Sequence, residues 1–321
     1  RGVGALRRLL AVRVPSTGRG HGVRATRTLG ALDRCRHLVH LHRPEAAVVL
    51  TADHVLRLDV GRLLAAHRRL GADVSLCTVL VPPADGAPGT LVEVVGDAHV
   101  SGGLTAPRPD RLAAVWTGDL VVSAGALEMV HQVVGRHAAD GDRALLDALC
   151  ATVGVRAHDV DGFWHHPHSV EAYYEAQMNL CTLRPVCDLY DTGWPVRPAS
   201  GVLGPAKVVA DPAGRAGQAL NSLVSDGVVV RGGVVVNTVL GHGVVVESGA
   251  EIEDSVLLDG SRVGRGARVR RAVVGVGAVV GDAGEIGFGR PPASPARVLA
   301  SGLTLVPPIV ERPLAAAAGA R

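Results

Sequence analysis

Lysine is almost missing from this chain of 321 residues: Lys207 stands alone, and arginine supplies the other basic side chains. Aromatic residues make up only 2%, and the formal net charge is +3. With neither a basic stripe nor interleaved aromatics, the sequence carries no footprint of nucleic-acid binding. The same scarcity of aromatics means that a core must be built from Val, Leu and Ala, a composition that favours β-rich packing. Five cysteines (Cys35, Cys77, Cys150, Cys181, Cys187) are scattered without CxxC spacing. Their odd number and spacing exclude a disulfide framework and a zinc ribbon, and a reducing cytoplasm is the expected location. No apolar run approaches the roughly 20 residues of a membrane span. The Arg-rich start also lacks the apolar segment of a signal peptide, so the chain is expected to be soluble, with no membrane partner.

Apolar runs in the first half are short and alternate with helical patterns. "AAVVLTADH" ends in polar residues, "RLDVGRLLAAHRRLGAD" has helical periodicity, and "VSLCTVLVPP" is a second apolar run. This is a strand, helix, strand unit. Its continuous hydrophobicity predicts a parallel sheet covered on both faces. Asp53, just beyond "VVLTA", is then placed at a strand's carboxyl end, where ligands bind in such sheets, unless it serves as a capping or turn residue. "LVEVV" and "LAAVWTGDLVVSAGAL" add strands, "EMVHQVVGRHAADGDRALLDALCATVG" is helical, and "VRAHDVDGFW" returns to extended structure. The α/β character continues to about residue 184. A Pro-rich stretch without periodicity follows, so the expected organisation is an α/β domain over 1–184, a linker over 185–215 and a third part from 216 to 321.

That last part repeats. Val228, Val234, Leu240, Val246, Ile252 and Leu258 recur every six residues; after slips in phase come Val263 and Val269, then Val274, Val280 and Ile286. Several are followed by glycine. A six-residue period of inward aliphatics with turn-permitting glycines belongs to the hexapeptide parallel β-helix, whose rungs bury their apolar faces on one another.

"FWHHPHSVEAYYEAQMNL" resembles the Tyr-Trp-Arg-Asp-Val-Gly-Thr segment and following helix of the ADP-glucose pyrophosphorylase (glucose-1-phosphate adenylyltransferase) family. "LYDTGWPVRP" through "GPAKVV", "NSLVSDGVVVRGGVVVNTVL" and "SVLLDGSRVG" also resemble that family, covering the chain from about residue 26. The resemblance implies a partial Rossmann-like α/β nucleotidyltransferase domain followed by a left-handed parallel β-helix. It implies ATP and glucose 1-phosphate as partners, Mg²⁺ as cofactor, and a homo- or hetero-oligomer, typically a tetramer. Asp53 of "TADH" falls on the aspartate of the family's Gly-Asp-His segment, implied to act in catalysis and hold the metal. Thr28 of "RTLGAL" and Gly118 of "TGDLVV" fall on implied substrate-binding positions, although a turn glycine is the plainer reading of Gly118. Lys207 lies near an implied effector site, or is a solvated surface lysine.

Several family features are absent from these residues. The family's Gly-Gly-x-Gly-x-Arg-Leu phosphate loop is not found, and "STGRGHGVR" at 16–24 is a poor substitute because a lone GxGxG lacks a helix start. Ala106 stands where the resemblance implies a lysine on the sugar phosphate. In "FWHHPHS", His166 takes the place of a second metal-holding aspartate, with His165 and His168 at the arginine and glycine. Mg²⁺ demands oxygen ligands, so His166 should weaken that ion; a zinc or manganese site with Asp53 is the alternative. Ser169 is the expected N-cap of the helix from Val170, with Glu171 favourable in its first turn, and Tyr173 and Tyr174 are expected to pack. The chain starts at Arg1 rather than Met, as a trimmed sequence would, and the missing motifs fit either such a truncation or a degenerate, non-catalytic paralogue with weak or no activity. A further reading is a hexapeptide acyltransferase with His242 as general base.

Overall fold

In the computed structural model, residues 29–309 are described except 31, 33, 83–88, 105, 108, 111, 138, 139, 161, 162, 197–202 and 290–295. The chain divides into two compact units, Arg1–His166 and Pro167–Arg321. The helix that follows the histidine cluster therefore belongs to the second unit, whereas the sequence pattern groups it with the first.

In the first unit, helix α1 (Arg36–His42) precedes strands β1 (Ala46–Val49) and β2 (Val55–Leu56), helix α2 (Val60–Arg69) and strand β3 (Val74–Val81). Strands β4 (Thr90–Val95), β5 (His99–Gly103) and β6 (Ala113–Ser123) follow, then helices α3 (Leu127–His137) and α4 (Asp142–Thr152) and strands β7 (Val155–Asp159) and β8 (Trp164–His165). Helix α2 starts where Asp59 accepts a hydrogen bond from Arg62 N (3.0 Å). It ends in His67, Arg68 and Arg69, cations suited to the negative end of a helix.

The sheet is mixed, not parallel. Strand β6 pairs antiparallel with β1, β3 and β4, while β3 pairs in parallel with β7. Strands β1 and β3 run in the same direction but have β6 between them, so the expected strand, helix, strand unit lacks direct pairing. The continuous apolar runs have the predicted cause, two covered faces. Val74, Leu76, Leu120 and Val122 pack with Val130 and Val134 of α3 and Leu145 and Leu149 of α4. Cys77, Val79, Val115 and Val121 form a separate cluster with Leu63 of α2.

The second unit is a parallel β-helix of three sheets, left-handed in kind as the hexapeptide pattern requires. From Val234 onward its rungs pair residues 17 apart, as in Val234↔Glu251, Glu251↔Arg268 and Arg268↔Glu285, whereas the preceding rung spans 16, as in Gln218↔Val234. Three hexapeptides would give 18, so one side of each 17-residue rung is a residue short. The short side follows Val235, Ile252 and Val269, whose inward successors are Leu240, Leu257 and Val274, all buried. At this corner Asn237, Asp254 and Arg271 each adopt φ 46°, a one-residue left-handed turn. The slips in sequence phase are these corners, and they correct two inward assignments: Val235 and Leu257 are fully buried, while Val234 and Leu258 are only half-buried. Beside the corners, Thr238 N donates to Ser222 Oγ (3.1 Å), Ser255 N to Thr238 Oγ1 (3.3 Å) and Ala272 N to Ser255 Oγ (3.2 Å). This ladder satisfies backbone donors that the shortened turn would otherwise bury without partners. The β-helix begins before residue 216, since Lys207–Val209 already pairs in parallel with Val229–Arg231.

Helix α5 (Val170–Leu180) packs within the second unit. Ser169 is its N-cap, accepting from Ala172 N (3.0 Å), with Glu171 in the first turn. Val170, Tyr173, Tyr174 and Met178 lie against Val256, Val273 and Leu303, and Tyr174 Oη donates to Asp254 O (2.7 Å). Both tyrosines are packing residues, as expected.

Candidate functional site

Asp53 follows the end of β1 in the turn 50–54, and it caps no helix, since Asp59 is the N-cap of α2. Strand β2, directly after the turn, pairs antiparallel with β8 (Val55↔His165, Leu56↔Trp164), and Arg57 N donates to Phe163 O (2.9 Å). This small ribbon brings residues 53 and 166 together. His166 Nε2 lies 3.7 Å from Asp53 Oδ2.

The third contributor comes from β6. Leu120 faces Leu76 of β3, but Trp116 faces Thr78, so Thr117, Gly118 and Asp119 form a bulge opposite Cys77. Gly118 has φ 102°, a conformation that L side chains avoid. Its turn-glycine reading therefore has a backbone reason. The bulge holds Asp119, 1% exposed, against the β1–β2 turn. Thr51 N donates to Asp119 Oδ1 (2.7 Å), and Thr117 Oγ1 lies 3.1 Å from Asp119 Oδ2.

His54 links the two carboxylates. Its Nε2 is 2.8 Å from Asp119 Oδ2; its Nδ1 is 3.1 Å from Asp53 Oδ1 and 2.9 Å from Thr51 Oγ1. With a carboxylate oxygen at each ring nitrogen, both nitrogens carry protons. Burial of the ring opposes the charged form, but the hydrogen bonds and charges of Asp119 and Asp53 outweigh it and raise the pKa to about 9. The order Thr51, His54, Asp119 mimics a nucleophile, base and acid. An imidazolium has no lone pair to accept a proton, so it cannot act as the base.

The donors do not fit Mg²⁺. That ion takes oxygen ligands in near-octahedral geometry. Asp119 is committed to His54 and Thr51, and both oxygens of Asp53 face imidazole nitrogens. Among the described residues, no group of three or more His, Cys, Asp or Glu side chains could hold a metal ion.

The structure thus assembles Asp53 and His166, and sets Gly118 beside them through Asp119. Thr28 lies outside the described residues, as do the glycines of 16–24. His165 stacks on Phe163 (centroids 6.3 Å apart), and Ala106 is exposed. His242 sits at a β-helix corner, where its backbone N donates to Asp259 Oδ1 (2.8 Å), and Lys207 is exposed on the first rung. His54, Asp119, Thr51 and Thr117 were not singled out by the sequence reading. The available signal was a glycine followed by an acid inside an eleven-residue apolar strand, the mark of a bulge.

Among the described residues, no helix is long and apolar enough to cross a membrane, and all five cysteines are free. The family profile described as "GlmU-like, C-terminal hexapeptide" matches residues 204–306. A glucose-1-phosphate adenylyltransferase of Parafrankia sp. is 32% identical over 283 residues, 80% of this chain and 68% of its own length. That of Frankia casuarinae is 31% identical over 272 residues, covering 76% of this chain and 65% of its own length. That of Koribacter versatilis is 28% identical over 250 residues, 72% of this chain and 60% of its own length. The chain spans about two thirds of the length of the curated relatives it matches. An α/β unit, a hexapeptide β-helix and this extent of identity have one conclusion: the chain belongs to the glucose-1-phosphate adenylyltransferase family.

Proposed function

We propose that this chain is a glucose-1-phosphate adenylyltransferase-type protein of α-glucan synthesis in which transfer itself is weak or absent. The reaction of that type joins ATP and glucose 1-phosphate to give ADP-glucose and pyrophosphate. Its physical demand is charge neutralisation: the sugar phosphate attacks the nucleotide α-phosphate, and both reactants are anions that must be held in line. The observation that carries the proposal is the state of Asp53, whose two carboxylate oxygens face His54 Nδ1 at 3.1 Å and His166 Nε2 at 3.7 Å. Where the resemblance calls for a second metal-holding carboxylate beside Asp53, this chain presents the imidazole of His166, with Nε2 3.7 Å from Asp53 Oδ2, and Mg²⁺ ligates nitrogen poorly. Ala106, at the position where the resemblance calls for a lysine, removes a second countercharge.

A non-catalytic subunit that assembles with an active family member is the role that remains for a chain that keeps the sheet and the β-helix without those charges. The β-helix, with its complete rungs, and the retained linker segments support that role, and a tetramer is the assembly expected of it. The test is pyrophosphate release from ATP and glucose 1-phosphate by the purified chain, with Mg²⁺ and then Mn²⁺, alone and mixed with an intact pyrophosphorylase. Loss of one charge-stabilising group costs about 10²–10³ in rate, so the chain alone should run at least ~10³-fold below the intact enzyme. Altered activity in the mixture supports the subunit role, whereas rates near those of the intact enzyme from the chain alone would refute the proposal.

A further inference from the structure

The two ends of the β-helix are not alike. At the last turn the inward residues Val280, Ile286 and Val306 are 4%, 8% and 7% exposed. Thr304–Val306 there also pairs antiparallel with Arg297–Val298, which closes that sheet edge. At the first turn the inward residues are Val208, Ala219 and Val224, which stack on Val230, Val235 and Leu240. Those three are fully buried, yet Val208 is 42% exposed and Ala219 and Val224 are only half-buried. The backbone is open on the same side. Lys207 N donates to Val228 O (2.9 Å) and Gly232 N to Val209 O (2.9 Å), so the amide and carbonyl of Val208 between them point away from the ladder. The same alternation turns Ala219 outward, because Gln218 N donates to Gly233 O and Asn237 N to Leu220 O. Val224 follows suit, because Leu223 N donates to Thr238 O and Ser225 N to Leu240 O. Among the described residues, no strand pairs with Lys207–Val209, Gln218–Leu220 or Leu223–Val224 on that side.

A solenoid whose end rung is apolar exposes its core together with its strand edges, and such an end needs a cover. The cover must present three strand edges around an apolar centre, which is what the end of another β-helix presents. We infer that the first rung is an interface between two copies of this chain, stacked first rung to first rung, with Val208, Ala219 and Val224 of each copy at its centre. The symmetry allows it. A two-fold axis lying in the plane of contact reverses the direction of the second rung, so that all three strand pairs become antiparallel at once: one strand lies across from its own counterpart and the other two exchange. The far end, with its inward residues covered, offers no matching surface, so stacking through the first rung closes at two copies and does not run on as a filament. The inference goes beyond the proposed function and holds whether or not the chain transfers.

The test is the mass of the full chain by sedimentation equilibrium, compared for wild type, Val208→Lys and Val279→Lys. Val279 is the control, a valine 56% exposed on an outer face of the β-helix. Wild type should associate, Val208→Lys should lose half of the wild-type mass, and Val279→Lys should keep all of it. Val208 is already part-exposed in the single chain, so a lysine there leaves the buried rungs in place. Where circular dichroism shows Val208→Lys to be unfolded, hydrogen exchange of the wild-type chain decides: the amides of Val208, Ala219 and Val224 should be protected in the associated state. A wild-type chain that stays monomeric overturns the inference, as does a folded Val208→Lys chain of wild-type mass or fast exchange at those three amides in the associated chain. Mass lost equally in both variants overturns it too, because association would then not run through the first rung. Pyrophosphate release enters none of these readouts, so failure here and failure of the proposed function are told apart.

Discussion

His54 and His67 are both shielded from solvent, yet their surroundings drive them to opposite charge states. His54 has a carboxylate at each ring nitrogen and is held as an imidazolium. His67 has hydroxyls instead: Ser75 Oγ lies 2.8 Å from Nδ1 and Ser123 Oγ 2.8 Å from Nε2. Ser123 Oγ donates its proton to Ala72 O (2.8 Å), so Nε2 of His67 donates to Ser123 and Nδ1 accepts from Ser75, which is the neutral ring. Burial lowers the pKa of His67, with the charge of Arg68 acting in the same direction and that of Asp73 against it. A depressed pKa makes the unfolded chain the better proton acceptor. The contribution of His67 to stability is therefore complete above the unfolded value of about 6.5 and is lost as pH falls towards the folded value. Thermal midpoints at about pH 7.5 and 5.5 should drop more for wild type than for His67→Gln; equal drops would count against this account. Neither charge state was legible in the sequence, because Ser75 and Ser123 lie 8 and 56 positions from His67 and Asp119 lies 65 from His54, all brought close by strand pairing.

At the scale of elements, local signals were read well and pairings were not. Ser169 caps α5 as its position before Val170 predicts, since the cap bond spans only three residues. Replacing Ser169 by Ala should cost about 1 kcal/mol in urea unfolding, with Ser169→Asp close to wild type. An alanine variant indistinguishable from wild type would mean that packing of Tyr173, Tyr174 and Met178 alone fixes the helix start. That packing was foreseen only as burial. Its partners, Val256 and Val273 of the β-helix, are some 80 and 100 positions further along the chain. The strands of the first unit were likewise found, but their order was not. Continuous apolar runs report that both faces are covered, and they are silent on whether the neighbour runs parallel or antiparallel. Insertion of β6 between β1 and β3 is a fact of topology, and with it comes the bulge that delivers Asp119.

For the molecule as a whole, the β-helix was visible from its period while its register was not. The period of six is close to the real one, and nine of the eleven inward positions named from it are buried in the β-helix core. The shortened corner moves the remaining assignments, as at Val235 and Leu257. Val235→Asp places a charge in the sealed interior and should destabilise the chain by several kcal/mol, roughly 3–5, whereas Val234→Asp, one residue earlier, should cost about 1 kcal/mol or less. Equal effects in thermal unfolding would refute the 17-residue rung.

The sequence by itself determined what depends on short range and on composition: the split into an α/β part and a hexapeptide part, the helix cap and the solenoid repeat. Each is encoded in spacings of a few residues, where backbone geometry leaves little choice. The tertiary structure alone decided what the site residues face. It set β6 between two strands, turned Gly118 into a bulge, anchored His54 on a buried Asp119 and brought His166 to Asp53 through the pairing of two-residue strands. Charge state and metal preference follow from such contacts, because the stabilisation of a buried ion depends on the groups within a few ångströms of it and not on its neighbours along the chain.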